Sequence, residues 1–146
     1  MIELRDYKPE DFMIIKRREF DALSFMKFPN PKLISLRLTK GPAFTITNGN
    51  IIACGGVLPL WKGVGEGWMV TSPLVEKYPI LFAKTAWAKI TEIIENLQLV
   101  RLQTVVHSEH IVSQKWLQRM GFTNEGLMRK YLGDIDYFRY AWIREI

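Results

Sequence analysis

Cysteine is all but absent: Cys54 is the single one in 146 residues. That excludes an intrachain disulfide and any cysteine-built zinc cluster, and it fits a reducing compartment better than the disulfide-stapled world of small secreted domains. Histidine is nearly as scarce, with only His107 and His110. Two imidazoles three residues apart with Glu109 between them make an incomplete ligand set, so no metal site is expected. Long apolar runs are missing too. The opening Met1-Ile2-Glu3-Leu4-Arg5-Asp6 carries charge where an export signal needs an unbroken apolar stretch. The apolar segment Ile51 to Trp61 is interrupted by Gly55, Gly56 and Pro59, and it falls short of the roughly 20 residues that span a bilayer. These absences predict a cytoplasmic protein with no membrane partner.

What is present is the balance of a packed globule. With 48% apolar and 24% charged residues the chain is too apolar for a charge-dominated disordered segment. Its length predicts one domain over residues 1–146, and no repeat, linker or low-complexity stretch divides it. A formal net charge of +5 points toward anionic ligands, either nucleic acid or a phosphorylated molecule. Lys16-Arg17-Arg18 is the only basic triplet, however, and the other basic residues are scattered among carboxylates. Nucleic acid is therefore not expected as a partner; affinity falling steeply with salt would show otherwise.

Alternation of Ile2 and Leu4 with Glu3 and Arg5 predicts a half-buried first strand. Pro9 followed by Glu10 and Asp11 suits a helix start, and Phe12, Ile15, Phe20 and Leu23 continue it as one apolar stripe. Phe28-Pro29-Asn30-Pro31 ends that helix, and Leu33, Ile34 and Leu38 predict a shorter second one. Ala43 to Thr47, a two-residue turn at Asn48-Gly49, Ile51 to Leu58, and Gly65 to Ser72 predict an antiparallel meander. Pro79 opens a long helix to about Leu97, with Ala83, Ala86, Trp87, Ile90, Ile93 and Ile94 at helical spacing. Leu99 to His107 reads as a buried parallel strand between two helices. Ser108 is the expected cap of the next helix and Gly121 its left-handed end. Two last strands, near Gly126 to Leu132 and Asp136 to Ile143, join across Gly133-Asp134. Of the five tryptophans, Trp61 alone falls in a loop and is expected on a binding surface.

The resulting order, β-α-α-β-β-β-α-β-α-β-β, is α+β, with a mixed and mostly antiparallel sheet flanked by helices. This order resembles the GNAT (GCN-five-related N-acetyltransferase) superfamily over nearly the whole chain. Locally, His110-Ile111-Val112-Ser113 followed by Met120-Gly121-Phe122 resembles the family's fourth-helix pattern, with His110 where asparagine is usual. Glu125 to Tyr131 and Asp136 to Tyr140 are similar to the closing hairpin of ribosomal-protein-type N-acetyltransferases. Two departures stand out. The stretch Thr71 to Pro79 lacks the glycines that let a backbone approach a pyrophosphate, and Leu117 stands where the family often has a tyrosine that protonates the leaving thiolate. Gly67-Trp68-Met69-Val70-Thr71-Ser72 and the glycine-free loop also resemble the GNAT-like internal virion proteins of tailed phages.

The resemblance implies direct transfer of an acetyl group from acetyl-CoA, the co-substrate, to an amine on a small molecule or protein, by a monomer or homodimer. Its expected catalytic residues are Glu66 as a general base freed by flanking glycines, His107 and His110 as acid or base where cofactor and acceptor meet, and Ser113 as proton donor to the thiolate. Its expected cofactor contacts are the backbone of Met69, Val70 and Thr71, the Ser72 hydroxyl, the helix start at Ile80, Ser113 and Trp116. Each has a plainer alternative: a solvent-facing loop carboxylate for Glu66, a helix-start lining for the histidines, a packing residue for Ser113, a helix-leading turn for Thr71 and Ser72. On the phage-like reading the old cofactor cleft is degenerate and the partner is a virion or host protein.

Overall fold

The described residues form seven strands: β1 (Glu3–Asp6), β2 (Ala43–Thr47), β3 (Ile51–Trp61), β4 (Val64–Thr71), β5 (Arg101–His107), β6 (Thr123–Leu132) and β7 (Ile135–Ile143). Five α-helices accompany them among the described residues: α1 (Pro9–Ile14), α2 (Glu19–Lys27), α3 (Pro31–Arg37), α4 (Pro79–Asn96) and α5 (Ile111–Arg119). The computed structural model describes residues 1–145. The strands form one sheet in the order β1-β2-β3-β4-β5-β7-β6, and every neighbouring pair is antiparallel except β4 with β5.

Strand alternation divides the core between two faces. On one, α4 buries Phe82, Ala86, Ile93 and Ile94, at helical spacing, against Ile52, Val57 and Leu102 of the sheet. On the other, Tyr7, Phe12, Ile15, Leu38 and Cys54 form a second cluster with Phe25, Phe28 and Trp68 packed on it. No helix among the described residues is long and apolar enough to cross a membrane, and no group of three or more His, Cys, Asp or Glu among them could hold a metal ion.

Three local expectations are corrected. The single helix expected from Pro9 up to the Phe28-Pro29-Asn30-Pro31 break is two helices, because the chain turns extended at Ile15 and Arg18. The Arg17 guanidinium folds back onto the carbonyls of Phe12 and Ile15, satisfying the end of α1 and leaving α2 to start afresh. The β2–β3 turn is three residues long, Asn48 to Asn50, with Gly49 at φ +103°. Ser108 does not cap α5: its N–H donates to Asp136 O, and His110 takes the cap position without a side-chain cap bond. Gly121, at φ +93°, ends α5 in the left-handed conformation expected of it.

Cys54 is fully buried, and burial pushes its thiol up to about 12. Only the thiolate is nucleophilic. In the native protein Cys54 should therefore resist iodoacetamide at pH 8 and react fully once denaturant is added, as mass spectrometry of the alkylated chain would read.

Candidate active site

The one parallel contact in the sheet is short. β4 and β5 pair only at Val64 with Arg101, Gly65 with Leu102 and Glu66 with Gln103. A last tie follows, from Thr104 Oγ1 to Gly67 O at 2.8 Å. Beyond it the strands part, so the outward edge of β4 near Thr71 has no strand partner. Two openings flank this splay. At its root lies an apolar crevice of about 50 Å³ walled by Gly67, Met69, Ile90, Thr104, Trp116 and Met120. At its mouth lies a cavity of about 460 Å³ bordered by Arg18, Phe20, Pro73, Glu76, Glu109 and His110.

Two of the expected catalytic residues meet. Ser113 Oγ lies 3.2 Å from His110 Nε2, one helical turn apart at the start of α5. His110 is only 8% exposed, and burial, with the nearby charges of Arg18 and His107, lowers its pKa to about 4. It is therefore neutral at pH 7. His107, the last residue of β5, accepts the Glu109 N–H on Nδ1 at 3.1 Å. The Phe20 ring, from α2, sits 4.7 Å from His107 and 4.8 Å from His110, stacked on the latter.

Glu66 stands apart from this group. Arg139 Nη1 on β7 donates to both its oxygens at 2.9 Å, and Gln103 Nε2 donates to one of them at 2.9 Å. The carboxylate is thus held by a guanidinium and an amide across three strands, not exposed by its flanking glycines.

The expected cofactor contacts divide as well. Met69 and Trp116 are brought together as walls of the crevice, with Trp116 stacked on Phe82 at 5.8 Å. Val70 turns to the opposite face and packs in the aromatic cluster. Ser72 is buried: its N–H donates to Ile52 O and its hydroxyl accepts the Leu74 N–H at 3.3 Å. That bond organises residues Pro73–Lys77 into a 3-10 turn, whose later amides point back along the turn rather than outward. Ile80 is 72% exposed in the first turn of α4, behind a proline that offers no N–H.

Thr71 carries the least expected arrangement. Its N–H and Oγ1 donate to Asp21 Oδ2 at 3.1 and 3.3 Å, and its carbonyl accepts the Arg18 N–H at 3.2 Å. Burial pushes the Asp21 carboxyl above the usual carboxylate range, against the opposing pull of these bonds and of Arg17 and Arg18. Ser24 of the same helix contacts the Tyr137 hydroxyl. Sequence reading missed Arg18, Phe20, Asp21, Ser24, Tyr137 and Arg139, since all but the last two lie on what it treated as one amphipathic helix.

No protein-family model matches this sequence, and no curated protein does. Solved structures do. Ard1 from Thermoplasma volcanium has a TM-score of 0.80 at 10% identity, over 99% of this chain and 99% of that one. A GNAT family acetyltransferase from Elizabethkingia anophelis with acetyl-CoA bound gives 0.70 at 14% identity, over 98% of each chain. The ribosomal-protein-S18-alanine N-acetyltransferase from Escherichia coli gives 0.70 at 16%, over 100% of this chain and 96% of that one. The fold of this chain is the GNAT acetyltransferase fold, as its element order implied; at these identities the likeness concerns the fold alone.

Proposed function

We propose that this protein transfers an acetyl group from acetyl-CoA to an amine by direct attack, on a small molecule or an exposed protein amine. The observation that carries the reading is the splay of β4 from β5, with a small apolar crevice at its root and the His110–Ser113 pair at its mouth. The crevice, at about 50 Å³ and lined by Met69, Trp116 and Met120, suits a short acyl group. As the amine nitrogen bonds to the thioester carbon and the carbon–sulfur bond breaks, one proton must leave the amine and one must reach the sulfur. A neutral imidazole has one nitrogen to accept and one to donate. His110 and Ser113 therefore form a relay that takes the first proton and supplies the second. Ser113 fills the part that Leu117, with no proton to give, leaves open.

A second reading is favoured by Thr71, whose outward backbone groups are already bonded, and by a glycine-free 3-10 turn that faces Glu76 toward the mouth. On it the chain is a binding protein on a GNAT scaffold with a disused cofactor cleft, acting as a structural or host-interacting protein of phage origin.

Melting temperature against acetyl-CoA concentration, with desulfo-CoA and ATP as controls, separates the two. A ligand present at 100 times its Kd stabilises the native state by about 2.7 kcal/mol. The expected result is a saturable rise specific to the CoA forms. No shift at about 1 mM, where a Kd near 10 µM would give that stabilisation, in the wild-type chain and in Asp21→Ala alike, would leave the second reading.

A further inference from the structure

We propose that the first turn of α2 is an autoinhibitory strap: residues Arg18 to Asp21 cover the outward edge of β4 and both imidazoles, and a ligand that pairs with that edge enters only when the turn lifts. The ligand named in the test rests on the acyl-transfer reading; the strap does not.

The strap imitates a strand partner. An extended ligand lying along β4 must place an acceptor on the Thr71 N–H and a donor on its carbonyl. Asp21 Oδ2 holds the first position and the Arg18 N–H the second. One residue away, Phe20 stacks on His110 and touches His107, so the same turn also covers the two ring systems at the mouth. Arg18 adds an ion pair with Glu76, at 3.5 Å, on the far side of that opening.

The helix carrying these groups is lightly seated. No residue of α2 is fully buried; Phe20, Asp21, Ala22, Ser24 and Phe25 are half-buried and the other four are exposed. It is tied down at its start by Thr71, in its middle by Ser24 on Tyr137, and toward its end by Phe25 among Phe12, Phe28 and the Arg17 guanidinium and by the Lys27 ion pair with Asp134, so its C-terminal half is held more firmly than its first turn. Elements with little buried apolar surface open at the low end of local unfolding free energies. Both flanks are extended, at Arg18 (ψ 164°) and Phe28 (ψ 129°), so the helix can swing on joints outside its own hydrogen-bond ladder. The latch itself holds a carboxylate away from water, with Thr71 as its hydrogen-bond partner. A closed strap raises the apparent Kd of any ligand by the inverse of the open fraction.

The test compares wild type, Asp21→Ala and Asp21→Asn by NMR and by calorimetric titration with acetyl-CoA. Three results are expected in Asp21→Ala. The His110 ring protons lose the shift imposed by Phe20. The Thr71 amide exchanges about tenfold faster, while Ser72, bonded to Ile52 O, keeps its wild-type rate. The Kd for acetyl-CoA falls by a comparable factor. Asp21→Asn, of the same shape, should move each observable the same way by less, and it decides the matter if the alanine variant does not fold. The strap is overturned if the His110 shifts stay at their wild-type values, or if Thr71 and Ser72 accelerate together, which would report general loosening. Release of Phe20 and Thr71 without acetyl-CoA binding in any of the three chains would uphold the strap and remove the acyl-transfer reading instead.

Discussion

Replacing Asp11 with alanine is expected to cost about 3 kcal/mol of stability, because a buried carboxylate that satisfies several donors leaves them unpaired when it goes. Asp11 is 3% exposed. Arg5 grips it with both terminal nitrogens at 2.8 and 2.9 Å, the Lys8 N–H donates at 2.9 Å, and Thr45 Oγ1 donates at 2.7 Å. Burial alone would push its pKa up, but the bonds from Arg5, Lys8 and Thr45 outweigh it and hold the carboxyl below the usual range. The loss is unequal among the partners. The Arg5 side chain, 38% exposed, can turn to water, whereas Thr45 is fully buried and cannot. Asp11 also caps α1 and so fixes where β1 hands the chain to the first helix. A depressed carboxylate pKa contributes stability that is full above the unfolded value of about 3.9 and is lost as pH falls from there through the lower folded value. Urea denaturation at pH 7 should show the full deficit in Asp11→Ala and a smaller one in Asp11→Asn. A deficit below about 1 kcal/mol would mean that the network contributes little.

Most of the fold was legible because its signals are local. Alternation in Ala43 to Thr47, the positive-φ glycines Gly49, Gly63 and Gly133 between paired strands, and the helical spacing from Phe82 to Ile94 all act within a few residues. The break between α1 and α2 was not legible. Phe12, Ile15, Phe20 and Leu23 fit one stripe, yet Phe12 and Ile15 pack in the second core cluster while Phe20 reaches the histidines. Nothing in the spacing says that Arg17 folds back to close α1.

The site divides along the same line. His110 and Ser113, singled out separately in the sequence, meet because they are one helical turn apart, and Met69 and Trp116 share the crevice. Glu66 acquires its meaning only from Arg139, 73 residues away in sequence, and Thr71 only from Asp21, 50 residues away. A carboxylate that looks free between two glycines is, in three dimensions, half of an ion pair. The loop from Thr71 to Pro79 shows the converse. Its lack of glycine was visible at once, and the consequence is a 3-10 turn that uses its own amides and tucks Leu74 and Tyr78 against the core.

Acid should weaken the protein through His110. Its pKa drops from an unfolded value near 6.5 to about 4, so folding favours the neutral ring. A depressed pKa contributes stability above the unfolded value, and that stability is lost as pH falls toward the folded one. Between pH 7.5 and pH 4.5 the loss from this one group is about 2 kcal/mol, because each tenfold drop in proton affinity on folding is worth about 1.4 kcal/mol. The cause is local: the ring is enclosed by Phe20 and faces Arg18 and His107, so a proton there adds a positive charge out of water beside a guanidinium and a second imidazole. Asp21 works in the opposite direction. Its raised pKa means that the buried carboxylate is relieved by protonation, so acid eases its burial while straining His110. One group is the chain neighbour of Phe20 and the other its stacking partner, so the measurement must isolate one. In His110→Phe, which keeps a ring against Phe20, the stability difference from wild type should shift by about 2 kcal/mol in favour of the variant between pH 7.5 and pH 4.5, read as paired denaturation curves. A difference that stays constant with pH would mean that the imidazole is solvated well enough to take its proton at no cost. The neutral relay proposed for catalysis would then have no support from its surroundings.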